Sequence, residues 1–141
     1  MTSRLLRGCA IGIMLLTSLM GCALFGRGNE AVAQRSVRPG DPKVSPSGQY
    51  TAYAEYGTPQ NTVKTWVDVI KDKNGKEVFR DDTAYSTRHS IMFTWISTQP
   101  NELWILSGDV GTFYVTRWPD GNWVKQHATN VPKEIKDLRG Y

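Results

Sequence analysis

Cysteine and histidine are nearly absent from this 141-residue chain. The two cysteines, Cys9 and Cys22, sit near the amino terminus, so residues 23–141 hold no thiol. That excludes disulfides, sulfur nucleophiles and thiolate metal sites from the body of the protein. His89 and His127 stand far apart and form no i,i+2 or i,i+4 pair, so no metal site is expected. There is no Gly-x-Ser-x-Gly elbow and no glycine-rich phosphate loop ending in lysine. No catalytic residues and no dissociable cofactor are therefore expected. Charge of one sign is also scarce. The net +4 is spread among interleaved acids and bases, which is no footprint for nucleic acid.

Long apolar runs are missing too. The longest, Cys9 to Met20, is far shorter than the about 20 residues a membrane-spanning helix needs. Arg4 and Arg7 precede it, and the small Gly21 follows, which is the layout of a processed export signal. The string Leu19-Met20-Gly21-Cys22 resembles the lipobox of bacterial lipoproteins. The resemblance implies a signal peptide over 1–21, cleavage before Cys22, and a diacylglyceryl group on its sulfur with an N-acyl chain beside it. Stable membrane attachment takes more than one lipid signal, and such a cysteine would supply it. Ala23 follows the cysteine, and the resemblance then favours the outer membrane if the host is Gram-negative. Loss of Arg4 and Arg7 leaves 15 basic against 13 acidic side chains, a net +2.

Residues 22–48 read as the acylated cysteine and a flexible tether. Gly26, Gly28, Pro39, Gly40, Pro42, Pro46 and Gly48 interrupt any apolar period, and such a stretch buries little surface to offset its ordering entropy. Residues 49–141 read as a β-rich globular domain. Tyr50, Ala52, Ala54 and Tyr56 alternate with Thr51, Tyr53 and Glu55. Val63, Val67 and Val69 share one face of the next run, with Lys64 and Asp68 on the other. Asn74-Gly75 predicts a type I′ hairpin returning through Glu77 to Arg80.

Ile91, Phe93 and Trp95 alternate with Met92 and Ile96, and Leu103 to Leu106 are apolar in succession. Strands covered on both faces have this pattern, so these two are expected at the centre. Thr112 to Trp118, the turn Pro119-Asp120-Gly121-Asn122, and Trp123 to His127 complete about seven antiparallel strands. Pro132 opens a short carboxy-terminal helix with Ile135 and Leu138 facing inward.

The segment Val44-Ser45-Pro46-Ser47-Gly48-Gln49-Tyr50 resembles the turn that opens blades in TolB-like and WD-type propellers, and Asn74-Gly75-Lys76 and Leu103-Trp104 are similar to blade positions. Two blade equivalents cannot close a ring of four or more. The expected fold is therefore all-β: one small antiparallel meander, as a sandwich or partly open barrel.

Thirteen of the fifteen aromatic residues lie between Tyr50 and Trp123, where core building is the plain explanation. A stacking face for peptidoglycan or another glycan is the alternative, with Tyr53, Trp66, Tyr114 and Trp118 as its members. The one dense polar cluster runs from Arg80 to His89, and Arg80, Asp81, Asp82, Tyr85, Arg88 and His89 are the candidate binding residues. A small hydrolase using Asp81 or Asp82 with His89 is a third reading. The leading one is a lipid-anchored, non-enzymatic protein of the cell envelope that binds another envelope protein, as an assembly subunit, inhibitor or immunity factor. Replacement of Cys22 by serine should release the protein from the membrane fraction, as read by immunoblot of washed membranes; unchanged sedimentation counts against acylation.

Overall fold

The computed structural model describes residues 26–139. The signal segment and Cys22 lie outside the described residues. The elements in order are α1 (Gly26–Arg35), β1 (Lys43–Val44), β2 (Tyr50–Tyr56), β3 (Thr65–Asp72), β4 (Glu77–Arg80), β5 (Tyr85–Ser86), β6 (Ile91–Trp95), β7 (Glu102–Ser107), β8 (Gly111–Arg117), β9 (Trp123–His127) and α2 (Lys133–Arg139). The strands form two antiparallel sheets. The first runs β1-β2-β3-β4 with β5 also paired to β3, and the second runs β6-β7-β8-β9. No barrel closes. None of the described helices is long and apolar enough to cross a membrane.

Two-residue periodicity explains how the layers meet. Ala52, Ala54, Ile70 and Tyr85 of the first sheet share a core cluster with Phe93, Trp95, Leu103, Ile105 and Val115 of the second. Small alanines on one sheet leave room for rings from the other. Tyr50 and Trp123 meet edge to face at 4.8 Å between centroids, and Tyr85 and Phe93 do so at 5.7 Å.

The opposite face of the second sheet carries Met92, Ile96, Trp104 and Leu106, which pack with Ile135, Val32 and Leu138. The helices thus form a third layer, and β6 and β7 are covered on both sides as their apolar runs require. An ion pair between Arg35 and Glu134 links the helices, while Glu134 also accepts from the Ser97 amide at 2.9 Å.

Three expectations need correction. The stretch from Ser36 to Gly48 is folded rather than a tether: Val37 is buried, its amide bonds the Phe93 carbonyl at 2.8 Å, and β1 pairs with β2. Its prolines and glycines serve turns. Gly40 and Gly48 hold φ of 80° and 70°, which a side chain would strain.

The hairpin at Asn74-Gly75 forms, but not as type I′. Only Gly75 has positive φ, its amide reaches the Asp72 carbonyl, and the Asp72 amide reaches the Lys76 carbonyl. That is a type I turn followed by a glycine bulge. The Asp72 carboxylate accepts from the Asn74 and Lys76 amides at 2.9 and 3.0 Å, which holds Asn74 out of the left-handed region.

The polar face assigned to β3 is the inward one. Trp66 and Ile70 join the core between the sheets, and Asp68 lies between them on that face, fully buried. Val69 is fully buried on the other face, in register with Tyr53 and Arg80.

Ile135 is the fully buried side chain of α2 and the point at which the helix layer grips the second sheet. Ile135→Ala should lower unfolding free energy by about 2–5 kcal/mol through lost contact and a residual cavity. A urea titration monitored by tryptophan fluorescence checks this, with the midpoint falling at unchanged slope.

Candidate functional site

Two carboxyl groups face each other between the sheets. The Asp81 amide bonds the Asp68 carbonyl at 3.0 Å, which prolongs the β3–β4 ladder by one residue and aims both side chains inward. Like charges at such a cross-strand position repel. Asp81 is well supplied with donors. Its Oδ1 accepts from Lys125 Nζ at 2.7 Å and from the Thr83 amide at 2.9 Å, and its Oδ2 accepts from the Tyr85 hydroxyl at 2.8 Å.

Asp68 has no donor for either carboxyl oxygen among the described residues. Burial, and then the charge of Asp81, push the Asp68 carboxyl well above the usual carboxylate range. Burial also pushes Asp81 upward, but hydrogen bonds from Asp68, Lys125, the Thr83 amide and Tyr85 outweigh it and hold Asp81 below its ordinary value. The consistent state of the pair is one proton, held by Asp68 beside the Asp81 carboxylate. The Tyr85 phenol is raised by its burial and by the neighbouring negative charge of Asp81, so it stays a donor.

Lys125 comes from β9 and crosses to the other sheet. Its ammonium also donates to Thr83 Oγ1 at 2.9 Å and lies 4.8 Å and 5.3 Å from the ring centroids of Phe113 and Tyr85. The cluster as a whole is electrically balanced, with both acids buried and the Lys125 side chain partly exposed. It can hold a proton and an ion pair in a nonpolar setting.

The expected binding loop divides between interior and surface. Asp81 and Tyr85 turn inward. Arg80 stays on the outer face of the first sheet, where it bonds Glu55 and Glu77, each at 2.8 Å. Asp82 is exposed and accepts from Thr83 Oγ1 at 3.2 Å. Arg88 and His89 are exposed, and His89 Nε2 lies 3.9 Å from Asp109. The three residues of the hydrolase reading are not brought together: Asp81 engages Lys125, Asp82 faces solvent, and His89 pairs elsewhere.

The four aromatics do not share a face either. Tyr53 lies on the outside of the first sheet, with Lys71 Nζ 4.8 Å from its ring centroid. Trp66 packs on the core. Tyr114 stacks on Trp104 at 5.4 Å in the helix-side layer, and Trp118 is exposed at the β8–β9 turn.

His89 does belong to a surface feature that the sequence does not announce. A groove of about 420 Å³ runs beside the helix pair, with Arg38, His89 and Arg139 around apolar side chains that include Ile91, Met92 and Leu106. Among the described residues, no acidic side chain lines it. Trp66 reaches this groove from the core side. Among the described residues, no three histidine or acidic side chains converge as a metal site would require. No family model, no curated protein and no solved structure matches this chain.

Of the residues missed by sequence reasoning, Asp68 left a trace. It is the one charge inside Trp66-Val67-Asp68-Val69-Ile70, a run otherwise fit for burial. Lys125 left none, because it alternates like any solvent-facing strand residue.

The shared proton makes stability depend on pH. Asp68 binds its proton more tightly when folded than its ordinary value of 3.8 allows, so this contribution is full below that value and fades as pH rises through the native one. Asp81 has the opposite sign: its contribution is present above 3.8 and is lost as pH falls through its lowered native value. Asp68→Asn keeps a donor for Asp81 but cannot ionise. The variant should flatten the decline of stability on the alkaline side, read as urea midpoints across a pH series; an unchanged slope would refute the shared proton.

Proposed function

We propose that this chain is a lipid-anchored lipoprotein of the cell envelope that works as a non-enzymatic protein-binding module. The anchoring half rests on the string Leu19-Met20-Gly21-Cys22. Gly26, the first described residue of helix α1, stands four residues past the cysteine, a distance of at most roughly 14 Å along the chain. The domain in this reading lies close against the lipid surface, and only Ala23-Leu24-Phe25 separate the two.

The binding half rests on one observation, the groove in which Arg38 and His89 border an apolar floor, with no acid among its described lining residues. The occupant this chemistry fits is an acidic segment of another envelope protein carrying a few apolar side chains, because opposite charge steers the encounter and the floor takes up the apolar part. The dispersal of Tyr53, Trp66, Tyr114 and Trp118 over separate layers leaves a glycan-stacking face without comparable support.

Chemical crosslinking in native envelopes, followed by capture of the anchored protein, tests this reading. Charge reversal by Arg38→Glu should reduce recovery of the crosslinked partner by about tenfold or more, equivalent to about 1.4 kcal/mol, at an unchanged unfolding midpoint. Raised salt should weaken capture by the unaltered chain in the same direction. Equal recovery by both proteins would remove the groove from the account.

A further inference from the structure

The buried cluster contains an amine, a carboxyl group and an acid in contact, and no role in binding accounts for that combination. We propose that Lys125 and Asp81 become joined by an intramolecular amide bond, with Asp68 as the proton carrier. This inference stands apart from the envelope-binding reading, and neither depends on the other.

Three observations carry it. Lys125 Nζ rests 2.7 Å from Asp81 Oδ1, and the Asp81 side chain has no exposed surface while that of Lys125 is 19% exposed, so the amine is held against a carboxyl group that water does not reach. Asp68 lies beside Asp81, fully buried, with no donor among the described residues for either carboxyl oxygen, which leaves it free to give and take a proton. Tyr85 holds Asp81 Oδ2 through its hydroxyl at 2.8 Å, a donor placed where negative charge would gather during attack on the carboxyl carbon.

The step balances within these side chains. A proton passes from the ammonium to Asp81 Oδ1, which leaves a neutral amine beside a neutral acid. The Asp81 carboxyl turns about Cβ–Cγ to present its face. The nitrogen lone pair then forms the bond to Cγ, while Asp68 gives its proton to the carboxyl oxygen Oδ2 under Tyr85. Asp68, now a carboxylate, takes a proton from the tetrahedral nitrogen. Return of a proton to Oδ1 breaks the Cγ–Oδ1 bond and releases one water. Oδ2 gives up its added proton to Asp68 and becomes the amide carbonyl.

Amine and acid yield amide and water, and Asp68 is restored. No oxidant, nucleotide or metal takes part. Fixed proximity supplies the drive that dilute amines and acids lack, since oriented groups act at effective concentrations of about 10⁵ M or more.

The bond would tie the end of β4 to β9, hence one sheet to the other, across a sequence separation of 44. A body without thiols would thereby gain the covalent closure that a disulfide gives elsewhere.

Mass spectrometry of the full chain decides the matter. The unaltered protein should weigh one water less than its sequence and lipids require, and proteolysis should yield a branched peptide joining the segments around Asp81 and Lys125. Lys125→Arg, which keeps a positive charge but offers no amine, should show the full linear mass. An unaltered protein of full linear mass overturns the proposal outright, whatever the variants do. Asp68→Asn should also remain linear; a branched peptide from that variant at undiminished yield would strike Asp68 from its role. The bond would remove the Asp81 carboxylate and with it the Asp81 part of the pH dependence, so the pH series is read on protein whose mass has been measured.

Discussion

Two aspartates buried side by side set the terms for the rest of the molecule. An isolated carboxylate taken out of water costs many kcal/mol, and a second one beside it adds repulsion. The chain meets this with one proton, one ammonium and one phenol. Asp68 keeps the proton, while Asp81 takes Lys125 and Tyr85. Each partner arrives from a different element, so the charge balance exists only when β3, the end of β4, β5 and β9 are all in place. A hydrophobic core tolerates small slips between layers; a neutralised acid pair does not. The relative placement of the two sheets is therefore fixed more sharply by this cluster than by the apolar contacts around it.

The aromatic side chains follow from that placement. Phe113 and Tyr85 flank the Lys125 ammonium and replace part of its lost hydration with their ring faces. Tyr50 with Trp123, and Tyr85 with Phe93, cross from one sheet to the other. Ala52 and Ala54 supply the space these rings need. A thiol-free body of this size gains its cohesion from such inter-sheet contacts. The abundance of rings between Tyr50 and Trp123 is accounted for by packing, with Trp118 left over at a turn.

Much of the architecture was legible because strand faces and turns leave local marks. The split of Ile91, Phe93 and Trp95 from Met92 and Ile96 predicts two covered faces, and the two core clusters divide along that line. Pro119-Asp120-Gly121-Asn122 turns as read, with Gly121 at a φ of 92°. Long-range partners leave no such mark. The segment around Val37 looked like linker because its prolines and glycines serve turns and linkers alike; what folds it is the Phe93 carbonyl, distant in sequence. The two-residue strands β1 and β5 are too short to show a period. Asp68 shares the face opposite the valines in the sequence for the same reason: Asp81, whose charge helps to keep it protonated, is invisible to a reading confined to neighbours in sequence.

The helix pair joins the structural and functional arguments. Helix α1 is held to α2 through Arg35 and Glu134 and to the second sheet through Val32. In the proposed anchored form, α1 begins a few residues beyond the lipidated cysteine, so tension from the membrane enters the molecule through α1 and meets the helix layer first. The acid pair lies on the other side of the second sheet and is shielded from that load. The groove is lined by Val32 and Ser36 at the end of α1 and by Leu138 and Arg139 of α2. Whatever positions α1 also shapes this wall. A partner seated there would contact the same elements that carry the proposed anchor, so binding and membrane attachment would act on one helix layer, with the sandwich behind it as the base.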